Sequence, residues 1–201
     1  MFYRPSEGHG LPHNPFKAIV APRPIGWIST VDEDGRANLA PYSFFNGVGD
    51  EPPMVMYSTT GPKVGRAEVK DSLTNIRATG EFCVSIVSSA LRDAMNVSSG
   101  HYAPGDDEFE MAGLTKGASQ VVAPPFVAEA PVGMECKLHQ IVELPGDATV
   151  VFGEVVGIHI RDEHLKDGLL DVTSYQPLAR LGYRDYTAVT EVFSLNRPGQ
   201  A

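Results

Sequence analysis

The sequence predicts one mainly β domain, an antiparallel barrel or sandwich carrying a few short helices. Three observations lead there. Alternating β-prone runs dominate the chain, polar turns containing glycine join them into hairpins, and helical signals are few and short. A chain of 201 residues is long enough for one packed core, and 42% hydrophobic with 20% charged residues is an ordinary globular composition, so a single domain over 1–201 is expected.

The clearest hairpin pairs residues 24–31 with 36–45 across the turn Asp32-Glu33-Asp34-Gly35. A third strand follows over 53–58, with Pro52 and Pro53 at its entry, where a missing amide donor does least harm. Asp71 or Ser72 is placed to cap a helix that turns Leu73 and Ile76 inward and stops at Gly80. Residues 81–87 alternate as a half-buried strand, and a second helix runs from Ser88 or Ser89 past Leu91, Ala94 and Met95 toward Gly100. From 100 to 126 the chain turns polar and loop-like, an excursion from the sheet. A long hairpin, 133–144 with 149–160, turns about Pro145-Gly146-Asp147. So many strands favour closure into a barrel, which removes exposed edges, though periodicity does not separate barrel from sandwich.

Charge and termini narrow the function classes. A net charge of −9 with no Lys/Arg run repels a phosphate backbone, so no nucleic-acid partner is expected. The first residues lack a basic segment followed by an apolar stretch, and no apolar run approaches a membrane span, so a cytoplasmic protein without membrane attachment is expected. Cys83 and Cys136 sit in apolar alternating runs as core thiols. His9, His13, His139, His159 and His164 lack the neighbours of a metal centre, no nucleophile elbow surrounds a serine, and no Gly-rich dinucleotide fingerprint is present.

Three segments have the residue types of a binding site. In the first, Arg23 lies between two prolines ahead of a strand carrying Trp27, Ser29 and Thr30; it is either pre-positioned for a phosphate or carboxylate, or a surface charge at a strand mouth. The second alternates polar groups and aromatics at a strand end, where Ser43 and Asn46 offer hydrogen bonds and Phe44 an apolar wall, suited to a flat heteroaromatic ligand. The third joins the hydroxyl-rich turn Ser58-Thr59-Thr60-Gly61-Pro62-Lys63 to Lys70 at a helix start, a phosphate cradle or simply a helix cap.

In order and spacing these segments resemble the flavin-reductase-like family of FMN-binding split barrels. The likeness rests on Arg23-Pro24-Ile25-Gly26-Trp27-Ile28-Ser29-Thr30, Asn38-Leu39-Ala40-Pro41-Tyr42-Ser43-Phe44-Phe45-Asn46 and Lys70-Asp71-Ser72-Leu73-Thr74-Asn75-Ile76. It continues through Thr79-Gly80-Glu81-Phe82-Cys83-Val84 and Asp107-Glu108-Phe109-Glu110-Met111-Ala112-Gly113-Leu114. The resemblance implies an antiparallel, Greek-key-like split β-barrel with short inserted helices, a homodimer with FMN near its interface, and NAD(P)H as electron donor to a small acceptor. It assigns Arg23, Ser58 and Lys70 to the phosphate end, and Trp27, Ser29, Thr30, Ser43, Phe44 and Asn46 to ring and ribityl contacts. His101 matches a position that reaches the flavin or the nicotinamide, and its residue context fits an exposed loop histidine equally well. The family implies an NAD(P)H-dependent flavin reductase, with a flavoredoxin-type electron carrier as the alternative; no catalytic acid or base is nominated, because the flavin performs the redox step.

Overall fold

Seven strands form one antiparallel sheet in a computed structural model that describes residues 1–61, 70–103 and 105–199. They are β1 (Gly26–Val31), β2 (Ala37–Tyr42), β3 (Phe45–Asp50), β4 (Pro53–Thr60), β5 (Glu81–Ile86), β6 (Val132–Glu143) and β7 (Ala148–Ile160). Their spatial order is β2-β1-β5-β6-β7-β4-β3, so the chain's first hairpin lies at one end of the sheet and the β3–β4 pair at the other. This is the expected mainly β architecture, with the predicted turn at 32–35 and the long β6–β7 hairpin both present. The Asp32 carboxylate builds the first turn by accepting the Asp34 and Arg36 amides at 3.0 and 2.9 Å.

One expected strand becomes two. The run 36–45 bends at Ser43 and Phe44, and the chain leaves β1 to pair instead with β4. Apolar alternation continues through the bend, so the pattern does not mark it; packing does. The Phe45 ring crosses Gly26 so closely that a Cβ there would lie 2.6 Å from it, and only glycine lets the corner fold over β1. Likewise the expected strand from Pro24 is interrupted: Arg23–Pro24 pairs separately with Leu178–Arg180, which also pairs with Tyr186–Ala188.

Helix α1 (Asp71–Thr79) buries Leu73 and Ile76 as expected and closes at Gly80, whose φ of +72° is the left-handed conformation. Its N-cap is Lys70 rather than Asp71 or Ser72, and the Lys70 side chain makes no capping hydrogen bond. The second helical segment begins with a short 3-10 turn, Ser89–Leu91, and continues as α2 (Arg92–Ser98). Within the polar excursion, α3 (Glu108–Met111) is capped by Asp107, which accepts the Phe109 amide at 2.9 Å, and is anchored by the fully buried Phe109 ring. Pro62-Lys63 of the hydroxyl-rich turn and Pro104 lie outside the described residues.

Two apolar clusters sandwich the central strands. Ile28, Tyr57, Phe82, Val84 and Val151 fill one side with Leu73 and Ile76 of α1; Trp27, Leu39, Met95, Phe109 and Leu178 fill the other. Consequently β1 is buried at all six positions, and β5 is buried on both faces rather than half-buried. Cys83 and Cys136 are buried free thiols of this core. None of the described helices is long and apolar enough to cross a membrane.

Candidate functional site

A cleft of about 340 Å³ opens beside edge strand β2. Its first wall is Asn38, Ala40, Pro41 and Tyr42 of that strand; the second is Lys70, Asp71 and Ser72 at the start of α1; Ser98 at the end of α2, residues 99–103 after it, and Glu108 of α3 complete it. The position follows from the fold. Among the described residues no strand pairs with the outer side of β2; α2 and α3 pack there, and α1 crosses its end. The volume lies within the usual range for small-molecule sites, about 300–1,000 Å³, and the lining combines apolar surface with a few convergent polar groups.

Polar contacts around the cleft are specific. Tyr42 Oη and Ser72 Oγ lie 2.6 Å apart, joining β2 to α1, and burial pushes the Tyr42 phenol up to about 12, against the opposing hydrogen bond to Ser72. Glu108 accepts the Asn38 side-chain amide at 2.8 Å and the Leu39 backbone N–H at 3.0 Å. Burial raises its carboxyl above the ordinary value, an effect that these hydrogen bonds oppose and the neighbouring Asp71 adds to. Because a carboxylate only accepts, Glu108 orients the Asn38 amide nitrogen toward itself and leaves Asn38 Oδ1 buried and, among the described residues, without a hydrogen-bond partner.

Of the ten residues singled out in the sequence, Lys70 and His101 line this cleft. Two stand one hydrogen bond behind features near it: Trp27 Nε1 donates to Ser98 Oγ at 2.9 Å, and Thr30 Oγ1 accepts from Asn75 of α1 at 3.0 Å. Trp27, Ser29 and Thr30 are fully buried and do not line this cleft; the Ser29 hydroxyl donates to the Pro125 carbonyl. All three belong to a strand covered on both faces, which alternation does not reveal. Arg23 does not line the cleft either. Its guanidinium is buried and donates to the carbonyls of Lys17, Val20 and Leu181, the last at 2.7 Å, and it lies over the Phe44 ring, 5.7 Å from the centroid. Those contacts tie the N-terminal arm to the C-terminal strands rather than presenting a cation to the cleft. Ser43, Asn46 and Ser58 lie outside the cleft lining, on the bend, β3 and β4, where Asn46 Oδ1 accepts the Gly47 amide and Ser58 Oγ donates to the Thr59 carbonyl.

The residues that the sequence did not single out are Asn38, Ser72 and Glu108. Asn38 and Ser72 lay within recognised segments, but nothing local separates them from ordinary strand and helix polar positions. Glu108 sits among Asp106, Asp107 and Glu110 in an acidic stretch, and only the folded arrangement distinguishes it from them.

Residues 20–179 match the family model described as the flavin reductase like domain. A protein of Aquifex aeolicus (strain VF5) is 41% identical over 169 residues, spanning 84% of this chain and 85% of its own length. Among solved structures, nitrilotriacetate monooxygenase component B from Bacillus cereus superimposes with a TM-score of 0.87 at 30% identity, covering 97% of this chain and 98% of that one. Flavoredoxin of Desulfovibrio vulgaris (Miyazaki F) gives a TM-score of 0.77 at 26% identity over 88% of this chain and 91% of that chain.

Proposed function

The chain belongs to the flavin reductase like family, and from that premise we propose that it binds FMN in the cleft between β2 and α1 and uses it to pass reducing equivalents from NAD(P)H to a small acceptor. The observation that carries the reading is the cleft's polarity. A lysine and a helix start lie at one wall, suited to a terminal phosphate, while Asn38, Tyr42 and Ser72 offer hydrogen bonds on the strand and helix walls. The orphaned Asn38 Oδ1 fits a ligand rich in N–H and O–H donors, provided seating the ligand uncovers it.

When bound, FMN supplies the electron chemistry through its ring system. The chain's own contribution is to hold and shield it. Lys70 and the α1 start take the phosphate, Pro41 and Ala40 form an apolar strip, and His101 stands exposed on the rim where a nicotinamide would approach. Trp27 acts indirectly, by fixing Ser98 beneath that rim.

A homodimer is part of the proposal. Phe16, Ile19, Val192, Phe193 and Leu195 are all more than half exposed in the single chain, apolar surface of the kind that a twofold partner covers. Sedimentation is expected to give twice 21.7 kDa.

The likeness to flavoredoxin keeps a second reading open, an FMN electron carrier without its own nicotinamide turnover. One experiment separates them. Protein loaded with FMN is mixed anaerobically with NADH and with NADPH while absorbance of the oxidised flavin is followed. Bleaching at a catalytically useful rate is expected; a yellow protein that neither nicotinamide bleaches selects the carrier, and a protein that takes up no FMN removes both readings.

A further inference from the structure

Residues 99–103 form one wall of the cleft, and the Glu108 side chain joins the chain beyond them to the sheet. Glu108 opens α3, which packs on β2 and α2, and its two carboxylate oxygens each take one N–H from β2: Oε1 from the Asn38 side chain and Oε2 from the Leu39 backbone. β2 is an end strand of the sheet, so among the described residues the Leu39 amide that Glu108 occupies has no further strand to receive it. The position of Glu108 is itself fixed, because Asp107 caps the same helix and the buried Phe109 follows it.

We propose that Glu108 is a positioning residue of the cofactor site, a clip that holds the 99–103 wall against β2 and sets the orientation of the Asn38 carboxamide in the cleft lining. The inference rests on the reading of the cleft as the FMN site. It goes beyond that reading by assigning retention of the ligand to a carboxylate that touches the wall rather than the ligand. Glutamine at this position has nearly the same shape but one acceptor oxygen; its NH₂ would face an N–H donor, and one of the two contacts would be lost.

Facing Glu108 are Asp71 from α1, with Lys70 beside it; Asn38 and Leu39 from β2, neither titratable; His101 from the loop; and the Asp107–Lys116 ion pair next to α3. Burial and Asp71 raise the Glu108 carboxyl, a cost to its charge that the two β2 donors oppose. A value raised in the held arrangement means that acidification does not release the carboxyl, so the clip is tested by substitution at neutral pH.

The experiment compares wild type, Glu108→Gln and the control Glu110→Gln, the last an exposed neighbour on the same helix. FMN affinity is read from flavin fluorescence at pH 7.5, alongside amide exchange of the apo-proteins. Glu108→Gln is expected to bind FMN about tenfold or more weakly and to exchange faster at Leu39 and across 99–103, while Glu110→Gln matches wild type in both. Wild-type affinity and wild-type exchange at Leu39 in Glu108→Gln would overturn the proposal. If wild type itself takes up no FMN, the cofactor reading fails, and exchange at Leu39 in the apo-proteins still decides the clip: faster exchange in Glu108→Gln upholds it, equal exchange removes it. If Glu108→Gln does not fold, wild-type exchange decides instead: Leu39 protected as strongly as the paired amides of β2 upholds the clip, and Leu39 exchanging as an unpaired edge amide removes it.

Discussion

Replacing Glu135 with alanine is expected to lower stability by about 3–5 kcal/mol, the largest effect of any single change considered, because it strips the partner from four donors at once. Glu135 is 1% exposed, and its carboxylate accepts the amides of Gln120, Val121 and Val122 at 2.8, 2.6 and 2.9 Å, with His159 Nε2 at 2.6 Å. His159 in turn stacks on Phe126, centroids 4.3 Å apart, so one carboxylate fastens the end of the polar excursion to both strands of the β6–β7 hairpin. Burial alone would raise this carboxyl, but the hydrogen bonds overcome it and hold it at about 2. The folded value lies below that of the unfolded chain, about 4.3, so the stabilisation is fully present above the unfolded value and is lost as pH falls from there toward about 2. Urea titrations from pH 7 down to 2.5 should show wild type losing its advantage over Glu135→Ala across that window. A difference of less than about 1 kcal/mol at pH 7 would show that the excursion is held by other contacts.

The second large effect concerns affinity. Lys70→Ala is expected to weaken FMN binding by about 1.5–3 kcal/mol, roughly ten- to a hundredfold, because a charge-assisted contact to phosphate at a helix start is lost. Arg23→Ala should behave differently. Arg23 Nη1 and Nη2 already serve the carbonyls of Lys17, Val20 and Leu181, and only the buried Nε has no partner among the described residues, so its removal should loosen the N-terminal arm and lower the thermal midpoint before it alters affinity. Fluorescence titration and thermal unfolding of the two variants separate these roles. Equal loss of affinity in both, with unchanged midpoints, would return Arg23 to the phosphate site and contradict the geometry described above.

The two cations illustrate which parts of the site were legible in the sequence. Lys70 precedes a helix whose start, inward face and closing glycine were all written locally, so its place at a helix N-terminus followed from the pattern. Arg23 had an equally suggestive neighbourhood, yet its partners include Leu181, distant in the chain, and long-range pairing leaves no local trace. The same division holds for the fold. The turn at 32–35 and the β6–β7 hairpin carry their own turn residues and were readable, whereas the corner at Ser43 and Phe44 depends on the Phe45 ring meeting Gly26 across the sheet. Trp27 and Thr30 were legible as members of a strand, but not its burial on both faces, which turns their side chains to Ser98 and Asn75. Glu108 was hidden among acidic neighbours because what sets it apart is the pair of β2 donors it reaches.

The account stands on the location of the flavin. A crystal structure of the FMN complex tests it directly: the phosphate is expected within hydrogen-bond distance of Lys70 and the first turn of α1, with the ring against Ala40 and Pro41. A flavin seated instead beside Arg23 and Phe44, with the β2–α1 cleft filled only by water, would contradict it.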